Sequence, residues 1–335
     1  MRKLLLTSSA LVAAASISSY AVADVSVTAE FEWAYTSTSS GVTTSDGDSM
    51  ITDNEIVISF SNKTDNGLTV GGKVELDVDT SNPGGGGNTV NDESVLTISG
   101  GFGTFRLGQE DPIDETFGID EQDLIDEEGS GLVTSASLGN TSNLGLAGDS
   151  NKIAYLTPKM GGFQAGYSIA DSGDNETTDT NAIGASYTMP IGGGAMTIKY
   201  NQATKDGTTD TDTTNMGIQL SMGAMTLIAS TGTKEIANDD DIEGNGFAIK
   251  YDMGGGMTIA AATVEVTDEI DKSGAEEEKY SANIGEIVYT VAPGLKAKVT
   301  YTDYEFKNGG DVGASGAADN DDSGQITNLT ISASF

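Results

Sequence analysis

The sequence predicts an all-β protein, a transmembrane antiparallel β-barrel of 16 strands, and three observations predict it. Apolar residues recur at every second position along nearly the whole chain. The connectors between those runs alternate in length, seven short and eight long. The first residues have the make-up of an export signal.

Residues 1–23 read as a signal peptide that export removes. Arg2 and Lys3 form a charged start, Leu4 to Ala15 is a short apolar stretch, and Ala21-Val22-Ala23 is an A-x-A cleavage site. The stretch is too short for a membrane anchor. Residues 24–335 are then the mature domain. Losing two bases takes the formal charge from −35 to −37.

The strands follow in order. Val25, Val27, Ala29, Phe31, Trp33 and Tyr35 alternate with polar residues, giving one apolar face. The same period recurs at Ile56, Ile58 and Phe60, at Phe163, Ala165 and Tyr167, at Ile198 and Tyr200, at Ile218 and Leu220, and at Ile287 and Tyr289. It closes on Leu329, Ile331, Ala333 and Phe335. Only 111–128 leaves room for helix. The short connectors, such as Gly100–Gly103 and Ala292–Gly294, are Gly-rich, as tight hairpins require. The long ones cover about 37–50, 80–92, 108–151, 171–181, 202–214, 232–245, 266–278 and 305–324. Fifteen connectors join sixteen strands, with both ends of the mature chain on the short-turn side.

A soluble sandwich has the same alternation. The export signal, the hairpin rhythm, the even strand count and the charged second face favour the barrel. Lys73, Glu75 and Asp77 share that second face, as do Lys296 and Lys298. A bilayer forbids unpaired strand edges, so the sheet must close.

Composition excludes several function classes. The chain has no His and no Cys, which removes Ser-His-Asp and Cys-His catalysis, disulfides and thiolate metal sites. It is therefore not read as an enzyme. Acids outnumber bases 51 to 16, which argues against a nucleic-acid partner.

The mature chain resembles the general bacterial porins of the sixteen-stranded kind, above all the alphaproteobacterial ones. The residues that carry the resemblance are the opening Ala23-Asp24-Val25 and its strand, the hairpin Gly100 to Gly108 (GGFGTFRLG), and a last strand, Ile326 to Phe335, ending in Phe. Pro112 to Gly118 (PIDETFG) loosely matches the Pro-Glu-Phe-Gly-Gly motif of those proteins. The resemblance implies a homotrimer in the outer membrane of a Gram-negative bacterium, among lipid and lipopolysaccharide. It also implies a pore in each subunit, with the third long loop folded inward to narrow it.

Glu110 to Glu128 holds ten carboxylates in nineteen residues, with no base from Gly108 to Asn151. Such a run also reads as a solvated surface loop; its length and place in a porin-like barrel are what make it a filter. The constriction carboxylates are expected at Asp111, Asp114, Glu115, Asp120, Glu121 and Asp123. A basic counter-wall is expected from Arg106, Lys73, Lys296 and Lys298, whose strands are neighbours once the barrel closes. These bases could instead just neutralise nearby lumen acids such as Glu75. With one Arg in the mature chain the acids dominate, so a weak preference for cations follows.

The expected function is general diffusion of ions and small hydrophilic solutes through a water-filled channel. No cofactor is expected beyond loosely bound Ca²⁺, with Asp319, Asp321 and Asp322 as the candidate ligands; Thr330 stands where a calcium loop would need Glu. Two alternatives remain. One is a structural or adhesive outer-membrane barrel whose acidic surface loops bind divalent cations. The other is a substrate-specific porin, which would need aromatic residues along the path; the aromatics are expected mostly on the lipid-facing register.

Overall fold

The computed structural model describes residues 24–40, 47–77, 90–125, 141–146, 148, 150–170, 179–207, 210–237, 241–268, 278–307 and 321–335. The signal segment 1–23 and the acidic residues Asp126, Glu127 and Glu128 lie outside them.

Sixteen strands form one closed antiparallel barrel. The first five are β1 (Asp24–Ser40), β2 (Gly47–Lys63), β3 (Thr69–Asp77), β4 (Val90–Gly100) and β5 (Gly103–Gln109). After the third long connector come β6 (Asn151–Leu156), β7 (Phe163–Ala170), β8 (Thr180–Ile191), β9 (Gly194–Lys205), β10 (Thr211–Met222) and β11 (Met225–Ile236). The last are β12 (Asp241–Gly254), β13 (Met257–Asp268), β14 (Glu278–Ala292), β15 (Leu295–Lys307) and β16 (Asp322–Ser334). Each pairs with its sequence neighbours, and β1 pairs with β16, Phe31 opposite Ala333. No edge is left, as a lipid environment demands. Both described chain ends lie at the short-turn end: the Ala29 N–H donates to the Phe335 carbonyl, at 3.3 Å.

The two faces differ as expected for a membrane barrel. Val25, Val27, Trp33, Ile218, Ile287, Tyr301 and Ile331 are exposed. Thr36, Asn201, Asn215, Thr300, Thr302, Asn328 and Thr330 are buried. A soluble sandwich would reverse these sets. Burying the apolar belt in lipid recovers roughly 25 cal/mol for each Å² removed from water. The short turns are tight; Gly294 at φ 75° takes the left-handed backbone that a side chain would strain.

Three connectors are less than half as long as the sequence suggests. β1 and β2 leave only 41–46 between them, β9 and β10 only 206–210, and β11 and β12 only 237–240. The apolar alternation stops before the pairing does. Above the belt, polar cross-strand contacts replace it: the Thr204 hydroxyl donates to Asp212 at 2.6 Å, and the Ser37 hydroxyl donates to Asp48 at 2.7 Å. The third long connector, 110–150, keeps nearly the length expected of it. β5 and β6 are only seven and six residues long, because the chain leaves the sheet early to form the loop.

Candidate functional site

The loop between β5 and β6 is anchored as soon as it leaves the wall. Glu110 pairs with Arg106 at 2.5 Å. Its carbonyl accepts from the Lys152 ammonium, which also donates to the Gly148 carbonyl at 3.1 Å. The Asp111 N–H donates to Glu93 on β4 at 3.2 Å. Burial pushes the Glu110 carboxyl above its ordinary range, with Arg106 opposing.

Pro112 then opens a single helical turn, α1 (Ile113–Thr116). Ile113 and Phe117 bury themselves against Ala154, Leu156, Ala182 and Ala203. These wall residues alternate with the exposed apolar belt, so the loop meets the face turned away from it. The fit needs glycine. A Cβ at Gly184 would sit 2.6 Å from Phe117 Cβ, and one at Gly166 would sit 2.7 Å from Ile113 Cδ1.

A one-turn helix leaves carbonyls without intrahelical partners. The wall supplies donors. Lys199 donates to the Gly118 carbonyl at 2.7 Å and to that of Thr116 at 3.5 Å. Asn201 donates to the Phe117 carbonyl at 3.3 Å. It accepts from Asn215 at 2.8 Å, and Asn215 in turn accepts the Leu144 N–H at 2.8 Å. This relay ties the outgoing and returning arms of the loop to β9 and β10.

A second turn, the 3-10 helix Glu121–Leu124, is capped by Asp120, whose carboxylate accepts the Gln122 N–H at 2.9 Å. Glu121 is fully buried; its carboxylate accepts from the Ser142 N–H at 3.2 Å, the Ser142 hydroxyl at 2.6 Å and the Ser230 hydroxyl at 3.3 Å. The absence of side chains at Gly244 and Gly246 admits Ser142 and the Glu121 carboxylate. Burial pushes Asp120 up to about 7, and the neighbouring charges of Glu121 and Asp123 push the same way. Burial also raises Glu121, against its bonds from Ser142.

The expected constriction residues therefore divide. Glu115 and Asp123 are exposed, and Asp111 and Asp120 are half-buried. Asp114 and Glu121 do not present their carboxylates to open solvent, contrary to expectation. Each answers a backbone donor of the returning arm, Asp114 the Leu146 N–H at 3.1 Å and Glu121 that of Ser142. The returning arm lies against the outgoing one, and its amides, with the Ser142 hydroxyl, supply the donors.

The counter-wall is paired rather than free. Lys73 lies 2.9 Å from Glu75 and in contact with Glu93. Lys298 is buried, 2.8 Å from Glu32. Lys296 shares its face of β15. An ammonium turned into a low-dielectric wall costs free energy unless a carboxylate answers it, and Lys73 and Lys298 each sit beside one.

Two further expectations fare differently. Asp319 and the side chain of Asp322 lie outside the described residues, and Asp321 is exposed just before β16. Among the described residues no group of three or more acids gathers as a metal site would require. The aromatics are not all on the lipid register: Tyr280, Tyr304 and Phe306 point to the inner face, with ring centroids 4.8 and 5.8 Å apart. They are buried beneath Leu144 of the loop.

A profile of the Gram-negative porin family matches residues 7–309. The chain belongs to the Gram-negative porin family. Several solved structures share the fold. The trimer form of OmpT, an outer membrane protein of Vibrio cholerae, is 13% identical, with 93% of this chain and 99% of that chain covered and a TM-score of 0.68. A multiple mutant of the Rh. blastica porin is 14% identical, covering 93% and 100%, at 0.68. The anion-selective porin from Comamonas acidovorans is 16% identical, covering 94% and 100%, at 0.64. No curated protein sequence matches the chain. Family and fold point to an outer-membrane channel.

Sequence reading missed the residues that hold this porin's loop: Lys199, Asn201, Asn215, Ser142, Ser230 and the wall glycines. A signal for them exists. Where the loop packs, the positions alternating with the apolar belt are small or amide residues, as at Gly166, Ala182, Gly184, Asn201, Asn215, Gly217, Gly244 and Gly246. On β1, β3 and β5 those positions include Glu, Lys and Arg. Small residues on an inner face mark where another segment packs.

The Arg106 pairing has a measurable consequence. In single-channel recordings, Arg106→Ala should change unit conductance and strengthen any cation preference, because Glu110 is left uncompensated. Lys205→Ala, at the exposed end of β9, should change neither.

Proposed function

We propose that this porin is a general diffusion channel, weakly cation-preferring, that passes ions and small hydrophilic solutes and works as a homotrimer. In this reading the described parts of the loop, 110–125 and 141–146, lie in the lumen as the filter. The observation that carries it is the seating of the loop: Ile113, Phe117, Ile119 and Leu144 pack on wall residues opposite the exposed apolar belt. A sixteen-stranded barrel is wide enough to hold water beside such a loop. The open path then runs along β15, β16 and β1 to β5, whose inner residues include Glu30, Glu32, Lys73, Glu75, Arg106, Lys296 and Lys298. Those wall charges are largely paired, so the unbalanced acids of the loop set the sign of selectivity. Trimerisation is supported by the shared fold with the trimer form of OmpT. The apolar belt would meet outer-membrane lipid and lipopolysaccharide.

A substrate-specific porin is the second reading, since three aromatics do face inward. They are no more than 3% exposed, and so offer no stacking surface to a solute. General diffusion therefore fits better.

Planar-bilayer recording of the refolded protein under a KCl gradient tests the proposal. Conductance steps in threes with a reversal potential on the cation side are expected. The triple variant Glu115→Gln, Asp120→Asn, Asp123→Asn should shift that potential toward zero while the barrel stays folded. Unchanged selectivity in the variant would remove the loop as the filter.

A further inference from the structure

At the short-turn end, four neighbouring strands each bring one methionine to the outer face. Met189 on β8 stands directly opposite Met196 on β9, and Met222 on β10 directly opposite Met225 on β11. The two pairs adjoin, because β9 and β10 set Met196 against Leu220 and Gly194 against Met222. Met222 therefore lies between Met225 on one side and, diagonally, Met196 on the other. Directly opposed side chains stand about 5 Å apart at Cβ and diagonal ones about 7–8 Å, within reach of long side chains. Gly194 puts no side chain in front of Met222, and none can be added there, since its Cβ would strike the Ser221 carbonyl. The patch shares the register of the exposed Tyr187, Tyr200 and Ile218, and Met222 is itself exposed beside the tight turn that Gly223 opens at φ 57°.

We propose that Met196, Met222 and Met225, with Met189 beside them, form a binding site for one soft monovalent cation, Cu(I) or Ag(I). Thioether sulfur is polarizable and carried on a flexible chain, and soft donors of this kind select Cu(I). Ca²⁺ and Mg²⁺ want oxygen instead, and no carboxylate shares the patch. The chain has no Cys and no His, so its methionines are the only soft donors it holds. An ion with a filled d shell imposes no geometry of its own, so three thioethers on adjacent strand ends can close round it. Contact with lipid alone asks for nothing that Leu220 and Leu227, in the same patch, do not already provide. The site faces away from the lumen and does not rest on the channel reading. It would hold soft ions at the short-turn end, which in outer-membrane barrels faces the periplasm.

Silver nitrate titrated into the refolded porin, in detergent and chloride-free buffer, tests it by calorimetry and by the methyl resonances of isotope-labelled methionine. Saturable binding of one Ag⁺ per chain is expected, with shifts at Met189, Met196, Met222 and Met225 and none at the exposed Met50 and Met160. Mg²⁺ should shift none of them. Met222→Leu conserves volume on the outer face, so the barrel should fold, and binding should weaken at least about tenfold. Met196→Leu should weaken it as well and is the second variant if the first fails to fold. Met50→Leu should leave binding unchanged. Unit conductance should not respond to bound Ag⁺, because the site lies outside the pore. Non-saturable uptake, equal shifts at all methionines, or unchanged affinity in both patch variants would overturn the site and leave the channel reading intact. A fall in conductance on binding would place the donors in the lumen and overturn the site on the outer wall.

Discussion

Gly184→Val should leave the porin's barrel intact and unseat its third loop. The added Cβ would lie 2.6 Å from Phe117 Cβ, which is near the backbone and cannot swing aside as a chain end could. Overpacking of this kind costs about 1–3 kcal/mol. A valine there takes the seat of the Phe117 side chain, so the roughly 2 kcal/mol that its burial contributes is lost as well. The hydrogen bonds from Lys199 and Asn201, at about 1 kcal/mol apiece, end on the carbonyls of Gly118 and Phe117 and are displaced with that residue. Of these contacts Ile113, worth roughly 2 kcal/mol, is left to hold a one-turn helix against the wall. The barrel itself rests on sixteen closed strand pairings and does not depend on the loop. The expected result is a protein that keeps the circular dichroism of a folded β-barrel, is cut by protease within 110–125, and conducts with larger and noisier steps. Gly285→Val is the control, because nothing lies within 4 Å of its added Cβ. If Gly184→Val matches that control in all three measurements, this contact does not seat the loop.

The contrast between these two glycines shows what the sequence discloses. Strand number, pairing order and the lipid-facing register all follow from a period of two and the rhythm of connectors, because a closed membrane sheet allows little else. The loop's position in the order was readable for the same reason. Its anchoring was not. Lys199 alternates correctly for the inner face of β9, but nothing local says that its ammonium meets the Gly118 carbonyl eighty-one positions away. Asp114 and Glu121 carry the same chemistry as Glu115 and Asp123. Only the fold decides which carboxylates cap the returning arm and which meet water. Pairing of Lys73 with Glu75 and Glu93 was half visible, since Glu75 shares the strand face, whereas Glu93 comes from the next strand. The inward aromatics escaped because Tyr280, Tyr304 and Phe306 lie beyond the belt, where the outer face turns polar and the alternation inverts.

Cation preference should weaken as the pH falls from 8 to 5, with a midpoint near that of Asp120. Its carboxyl titrates at about 7, well above the usual value near 3.9 for aspartate. Burial is the first cause, and the charges of Glu121 and Asp123 add to it. The sign for the loop runs opposite to the sign for selectivity. A group whose pKa is raised in the seated state favours seating while it is protonated, and that advantage fades as the pH rises through 7. Acid therefore holds the loop more firmly and makes it less negative, while alkali makes it more negative and looser. For the ions the effect is modest. One unit charge seen across about 8 Å of water is worth about 0.5 kcal/mol, roughly a factor of two in local cation concentration. Reversal potentials under a KCl gradient, taken from pH 5 to 8, should trace this step. Asp120→Asn keeps an oxygen to cap Gln122 and removes the charge, so it should flatten the curve between pH 6 and 8 without cutting the loop free. A wild-type midpoint near 4, or a variant that titrates unchanged, would mean that Asp120 meets open water and that the cluster beside it does not set the selectivity.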